Sequence, residues 1–267
     1  MTRHARLGPS SSDIWLACLG APAEWAKRPR KQVGFAAHEG TLAHALCEGA
    51  LTINAIPWKA GMSFDVDGSQ VPVTDEMLDA VKLFTSMANS LSEACLWRVI
   101  ETEVALTWLW ATRPAEEVFG TVDFGACDGF TLYVCDLKYG AGKAVNVVEN
   151  TQLLCYAVGL LGKLLAEQPE LAKTLETVVL MIVQPRAGGD AIRVWTISVG
   201  ELLYWAYGVF KPAVEAILSN HPLPLTPGSH CFFCAASMDC EAYRSYRSLR
   251  HADSFPDDLT LDEMEPV

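Results

Sequence analysis

The chain has 267 residues, 51% of them hydrophobic, with no excess of Gly or Pro. That is enough for one large core, and it excludes a collagen-like or low-complexity chain. A formal net charge of −12 argues against a protein that coats nucleic acid through its overall charge, because phosphate affinity comes from Lys and Arg. The charge is uneven. The last stretch, ADSFPDDLTLDEMEPV, carries acidic residues and no basic one, while WAKRPRKQ near the N-terminus is a compact basic patch. No apolar run reaches the length needed to span a bilayer, and MTRHARLGPSSSDIW lacks the apolar stretch of a secretory signal. The expectation is a cytoplasmic protein with no membrane segment.

In chain order, PSSSDIWLACLG reads as a loop, a Ser/Asp cap and a short helix. EGTLAHALCEGALTI reads as a second helix capped by Thr41, and VTDEMLDAVKLFTSMANSLSEACLW as a longer amphipathic one. VIETEVALTWLW alternates like a strand. EVFGTVDFGACDGFTLYVCDLKYG reads as two strands around a turn, and TQLLCYAVGLLGKLLAE as a helix. TVVLMIVQPRAGGDAIRVWTISV reads as a second hairpin turning at Ala187 to Asp190, followed by the helix GELLYWAYGVFKPAVEAIL. HPLPLTPG is a Pro-rich linker, with a cysteine-rich segment after it. The fold class is therefore α/β: a central mixed sheet of about five strands flanked by helices, with N-terminal helices and a C-terminal cysteine module. The expected partition is 1–99 (N-terminal helical region), 100–220 (sheet core), 221–250 (cysteine module, packed on the N-terminus) and 251–267 (acidic tail).

VCDLKYG holds the chemistry. Side chains on a strand alternate faces, so Asp136 and Lys138 point the same way. Asp128-Gly129 reads as a two-residue turn. With that loop, Asp123 faces Val134 and lies diagonal to Asp136 on one face, close enough for both carboxylates to converge on a cation. Buried charges are costly unless paired or bound to metal. An Asp136–Lys138 ion pair is the plain alternative. Carboxylate oxygens suit Mg²⁺ or Mn²⁺, and a lysine beside them suits an attacking water and developing negative charge.

GTVD and DLK, with GTLAH (Gly40 to His44) upstream and QLLCY (Gln152 to Tyr156) downstream, resemble the PD-(D/E)XK nuclease superfamily in its RecB-like branch. WLAC, VQPR and the final cysteines are similar to a phage-encoded group within it. The resemblance implies a restriction-endonuclease-like core and a metal-dependent DNA nuclease, an exonuclease acting on DNA ends in phage recombination or repair. It implies His44, Asp123 and Asp136 as metal ligands, with the Leu137 carbonyl as a further one. Lys138 serves the nucleophilic water, and Gln152 and Tyr156, at i and i+4, orient Lys138 or the DNA backbone. Glu48 lies one turn from His44; Glu101 and Glu103 are further acids that nothing specific marks. The implied setting is the cytoplasm of an infected bacterial host, with DNA as partner, a phage single-strand-annealing protein beside it, and a homo-oligomer allowed.

Cys231, Cys234 and Cys240 form an incomplete tetrahedral set, and Cys18 is the candidate fourth ligand. The resemblance implies a [4Fe–4S] cluster; zinc is the alternative occupant, and in a zinc site His230 could replace Cys18. Two rival functions stay open: a catalytically silent DNA-end or partner-binding module of the same fold, and a metal- or redox-sensing regulator.

Overall fold

The computed structural model describes residues 5–28, 34–111, 118–219 and 221–252. Part of the basic patch (29–32) and the acidic tail from 253 lie outside the described residues. In chain order the elements are α1 (Ser12–Ala17), α2 (Ala21–Ala26), α3 (Phe35–Ile53), β1 (Ser63–Val66), β2 (Ser69–Pro72), α4 (Asp75–Ala94), β3 (Trp97–Ala105), β4 (Phe119–Cys127), β5 (Thr131–Leu137), α5 (Thr151–Glu167), α6 (Pro169–Lys173), β6 (Thr177–Val183), β7 (Ile192–Ser198), α7 (Val199–Trp205), α8 (Lys211–Leu218) and α9 (Glu241–Ala252). The chain divides into two compact units, 1–12 with 32–212 and 13–31 with 213–267. The N-terminal helices are thus shared out: α3 and α4 belong with the sheet, while residues 13–31 belong with the cysteine segment.

The first unit is built on a mixed five-stranded sheet in the order β3-β4-β5-β6-β7. Only the β5–β6 pair is parallel, and α5 lies between those two strands in the chain, as a parallel crossover requires. One face of the sheet is covered by α3 and α4. Leu42, Leu46, Met77, Val81 and Phe84 share a core with Phe124, Ala126, Cys135, Leu137 and Val183. Thr74 caps α4 by accepting from Met77 N–H (3.1 Å), and Asn150 caps α5 by accepting from Leu153 N–H (3.1 Å). Thr41 is not a cap. α3 begins six residues earlier, at Phe35, and the Thr41 hydroxyl donates back to the Ala37 carbonyl at 3.1 Å, so the hydroxyl is satisfied inside the helix.

The other face packs on α5, where glycines permit close approach. A Cβ on Gly159 would stand 2.5 Å from Val104 Cγ2, and one on Gly125 would stand 2.6 Å from Leu160. A Cβ on Gly120, of the GTVD stretch, would stand 2.7 Å from Pro9 Cγ and 3.1 Å from the Tyr156 ring. This packing exposes an irregularity in β3. Strand alternation puts Val99 and Val104 on opposite faces, yet Val99 meets Gly125 beside Leu160 of α5, and Val104 meets Gly159 of α5. The reversal sits at Glu101, whose φ is +40°. A left-handed residue within a strand costs on the order of 1 kcal/mol and re-aims the side chains around it.

The β4–β5 turn is displaced from its expected position. Cys127 pairs with Leu132 and Phe124 with Cys135, so Gly129-Phe130 is the two-residue loop, not Asp128-Gly129. The Asp128 carboxylate explains the shift, because it accepts from both Phe130 N–H (2.8 Å) and Thr131 N–H (2.7 Å) and thereby fixes Asp128 as the first corner. Only Gly129 then needs positive φ (105°), as in a type II′ turn. The shift keeps the faces and tightens the site: continuing the register by one pair sets Asp123 directly opposite Asp136 rather than diagonal to it.

In the second unit Ile14, Cys18 and Ala21 form a small buried cluster, with Trp25, Leu225 and Cys234 packed against it. Among the described residues no helix is long and apolar enough to cross a membrane.

Candidate active site and cysteine pocket

Three elements converge at Asp123. Its Oδ2 accepts from Leu137 N–H at 2.6 Å, and its Oδ1 lies 3.1 Å from His44 Nδ1, supplied by α3. Glu101, delivered by the kink in β3, brings Oε1 to 3.7 Å from the same His44 nitrogen. One ligand atom each from His44, Glu101 and Asp123 falls within 4.8 Å of the others. That grouping of one imidazole and two carboxylates suits a hard divalent ion tolerant of nitrogen.

Asp136 adjoins the group from β5. It is 3% exposed. Its Oδ2 makes no well-aligned hydrogen bond but lies 2.9 Å from Lys138 Nζ, a contact best described as an ion pair. Lys138 Nζ also donates to Gln152 Oε1 (2.7 Å), and Gln152 Nε2 donates to Asp136 Oδ1 (3.2 Å) and to the Tyr156 hydroxyl (3.0 Å). The i, i+4 spacing on α5 thus acts as a unit: Gln152 aligns Lys138 against Asp136, and Tyr156 backs Gln152. The ion pair that D-x-K alone would explain is present, within a network it does not explain.

The electrostatics follow the crowding. Burial works against protonated His44, but the charge and hydrogen bond of Asp123, with Asp136 and Glu101 behind them, prevail and raise its pKa to about 9. Burial, then the charge of Asp123, lifts Glu101 to about 7; Glu48 adds to that push. Burial raises Asp136 as well, opposed by Lys138. All three shifts follow from burial and from the carboxylates crowded around them. They also set a pH dependence. The His44 pairing stabilises the fold fully below pH 6.5 and is lost as pH rises through about 9. Glu101 holds its proton more tightly folded than unfolded between pH 4.5 and about 7, so stability falls across that window too. A divalent ion must displace both protons. Mn²⁺ affinity is therefore expected to rise about tenfold per pH unit between pH 7 and 9, with release of one proton from His44. His44→Asn should flatten that slope. Calorimetric titration in two buffers of different ionisation enthalpy counts the protons, and a pH-independent affinity would remove His44 from the ligand set.

The structure brings together His44, Asp123, Asp136, Lys138, Gln152 and Tyr156. Leu137 contributes its N–H, to Asp123. Glu103 instead lines a separate groove of about 470 Å³ with Trp108, Trp110 and Lys163. Of the two further acids in the sequence, Glu101 and Glu103, it is Glu101 that joins the group. Its signal is the β3–β4 register, Ile100 with Phe124 and Thr102 with Val122, which puts Glu101 across from Asp123.

In the second unit Cys18, Cys231, Cys234 and Cys240 line one pocket. Three of the sulfurs accept N–H groups: Cys18 from Thr226 N–H (3.4 Å), Cys231 from Gly228 N–H (3.4 Å) and Cys234 from the Trp25 indole (3.3 Å). Burial raises the Cys231 thiol, the Gly228 N–H opposes it, and the other three cysteines raise it further. His230 Nε2 donates to the Thr226 carbonyl (3.0 Å) and lies 3.6 Å from Cys231 Sγ.

The family described as "Protein of unknown function (DUF2800)" matches residues 4–266. This chain belongs to the DUF2800 family. A solved structure, "Crystal structure of SSO0001", is similar to this DUF2800 chain at 14% identity, with a TM-score of 0.33, over 62% of this chain and 68% of that one.

Proposed function

We propose that this DUF2800 chain is a divalent-metal-dependent DNA nuclease of the PD-(D/E)XK type, RecB-like, acting on DNA ends. The observation that carries the reading is the convergence of His44, Glu101 and Asp123 from three elements beside the Asp136–Lys138–Gln152 network. Among those residues, Asp123, Asp136, His44 and Glu101 would hold the ion. Bound Mg²⁺ or Mn²⁺ supplies charge neutralisation at a phosphoryl oxygen and a lowered pKa for water. Lys138 has three N–H groups. One is held by Gln152 and one faces Asp136, which leaves the third for the attacking water and the charge that builds on the phosphate. Gln152 spends both amide hydrogens, on Asp136 and Tyr156, so its carbonyl is fixed toward Lys138.

The second unit is proposed to hold a [4Fe–4S] cluster. A single Zn²⁺ with bonds of about 2.3 Å would draw its sulfurs to about 3.8 Å of one another. Among the described residues no three of the four cysteine sulfurs come within 4.8 Å together, and an open pocket lies among them. N–H groups aimed at the sulfurs suit a cluster, whose potential such bonds tune.

The test is cleavage of end-labelled linear DNA and of covalently closed circles, with Mn²⁺ or Mg²⁺ and with chelator. Metal-dependent degradation of the linear substrate is expected, with circles spared. Asp123→Asn should lower the rate at least a hundredfold, since it removes an anionic ligand. Metal-independent cleavage, or an Asp123→Asn protein as active as wild type, would overturn the proposal. A protein inert on every substrate would favour the binding-module reading.

A further inference from the structure

The second unit displays a surface that neither the metal-bearing acids nor the cysteines use. Phe232 and Phe233 are each 75% exposed, and their rings meet edge-on with centroids 4.9 Å apart. The cysteines on either side of them, Cys231 and Cys234, turn inward to the pocket, so the two intervening side chains turn outward. A pair of adjacent phenylalanines held in water calls for an explanation that scattered apolar residues do not. Tyr243 lines the same pocket and begins a second aromatic group on α9. It stacks with Tyr246 (6.4 Å, 22°), and the Arg247 guanidinium lies 5.9 Å above its ring.

The charge nearby is positive. Arg244 and Arg247 are exposed, and among the described residues neither has an acidic partner. Neighbouring acids are engaged elsewhere: Glu24 takes Lys27 and Arg28 (3.1 Å), and Asp239 takes Arg28 (3.5 Å). α9 carries one acid, Glu241, in its first turn. In a chain of net charge −12, an uncompensated arginine pair on α9, beside the half-exposed Tyr243 and Tyr246, is a local reversal of sign.

We infer that Phe232, Phe233, Tyr243, Tyr246, Arg244 and Arg247 form a platform for single-stranded nucleic acid. Unpaired bases expose the π-faces that aromatic side chains stack on, whatever the sequence, and guanidinium groups track the phosphates between them. A duplex hides those faces. A membrane surface fits less well: the tyrosines of α9 are separated by Ser245 and Arg244, and Ser248 follows, leaving no broad apolar stripe to bury among lipids.

The experiment is fluorescence anisotropy with the full-length protein and a labelled thymidine oligonucleotide about twenty nucleotides long, in chelator, across a range of salt. Without divalent ions no cleavage intervenes, so failure here is distinct from failure of the nuclease reading. Arg244→Gln with Arg247→Gln is expected to weaken binding about tenfold or more and to reduce the slope of log affinity against log salt by about 1.4, two single-strand phosphate contacts. Phe233→Leu keeps an apolar side chain but removes the ring; it should weaken binding at least fivefold and leave the salt slope unchanged. Unchanged thermal unfolding of each variant shows that the fold is intact. Variants that bind as wild type would overturn the platform. So would a duplex of equal length binding as tightly as the single strand with Phe233→Leu neutral, or capture by anionic vesicles without oligonucleotide binding.

Discussion

Lys138→Ala is expected to lower DNA cleavage about a thousandfold at saturating Mn²⁺ while changing Mn²⁺ affinity less than threefold. The ammonium is not among the groups that would hold the ion; it contacts the Asp136 carboxylate and Gln152. Its loss removes the donor aimed at the water and the phosphate, an effect worth roughly a hundred- to a thousandfold where charge develops in a dry site, with a further share from positioning. It also frees Asp136 from the larger of the two charges that oppose its burial, His44 being the other, so Asp136 holds a proton more firmly. The optimum pH of residual cleavage should move upward, a readout that a general loss of stability would not give. Lys138→Arg keeps the charge but replaces a point donor with a planar fork, and should recover less than a tenth of the lost rate. Gln152→Ala leaves the ammonium in place but unaligned, and an intermediate loss of about tenfold to a hundredfold is expected. Cleavage by Lys138→Ala within tenfold of wild type would exclude Lys138 from the chemistry.

The parts of this site that could be read from sequence are those fixed by local rules. α5 runs from Thr151 to Glu167 because its apolar spacing and its Asn150 cap agree, and Gln152 and Tyr156 follow from helical periodicity alone. Asp123, Asp136 and Lys138 share a face because strands alternate. The register was harder, and the reason is instructive. The chain contains two Asp-Gly pairs. At Asp67-Gly68 both φ angles are positive (49° and 83°) and Val66 pairs with Ser69, the type I′ loop the dipeptide favours, yet the strands flanking it are four residues each and too short to stand out. At Asp128-Gly129 the same dipeptide slides by one position, because the Asp128 side chain takes two backbone N–H groups and Thr174 and Glu176 hold Gly129 and Phe130 from outside. Turn propensity describes the backbone, and here a side chain and a distant segment decide between neighbouring registers. Glu101 was illegible for a deeper cause. β3 and β4 are joined by the long stretch 106–118, not a tight turn, so nothing local sets which residue faces Asp123, and no residue type announces a left-handed kink at a glutamate.

Cys231→Ser is expected to unfold the second unit selectively. The apolar cluster at its cysteine pocket is small: Ile14, Cys18 and Ala21 are buried, with Trp25, Leu225 and Cys234 beside them. A cluster of that size leans on a staple. The unit is also assembled from two stretches far apart in the chain, 13–31 and 213–267, so ordering it brings distant segments together at an entropic cost that few apolar contacts offset. Burial raises the Cys231 thiol first, and the three other cysteines in the pocket add to that rise, because four thiolates in one pocket repel one another. Neutralised by a cluster, they turn from a liability into the main contact joining the two stretches, and binding free energy becomes folding free energy. Amide exchange distinguishes the outcomes. In Cys231→Ser, protection in 13–28 and 221–252 should fall together by at least a hundredfold, about 2.7 kcal/mol, while α5 and strands β4 to β6, sealed by their own core, keep theirs. The absorbance near 400 nm expected of an iron–sulfur centre should vanish in the same variant. Cys135→Ser, at a buried cysteine of the sheet core, is the control: it should lower stability without touching that absorbance. Colourless wild-type protein carrying stoichiometric zinc would replace the cluster with a single ion and leave the staple argument standing, whereas undiminished protection in Cys231→Ser would show that the second unit folds on its apolar contacts alone.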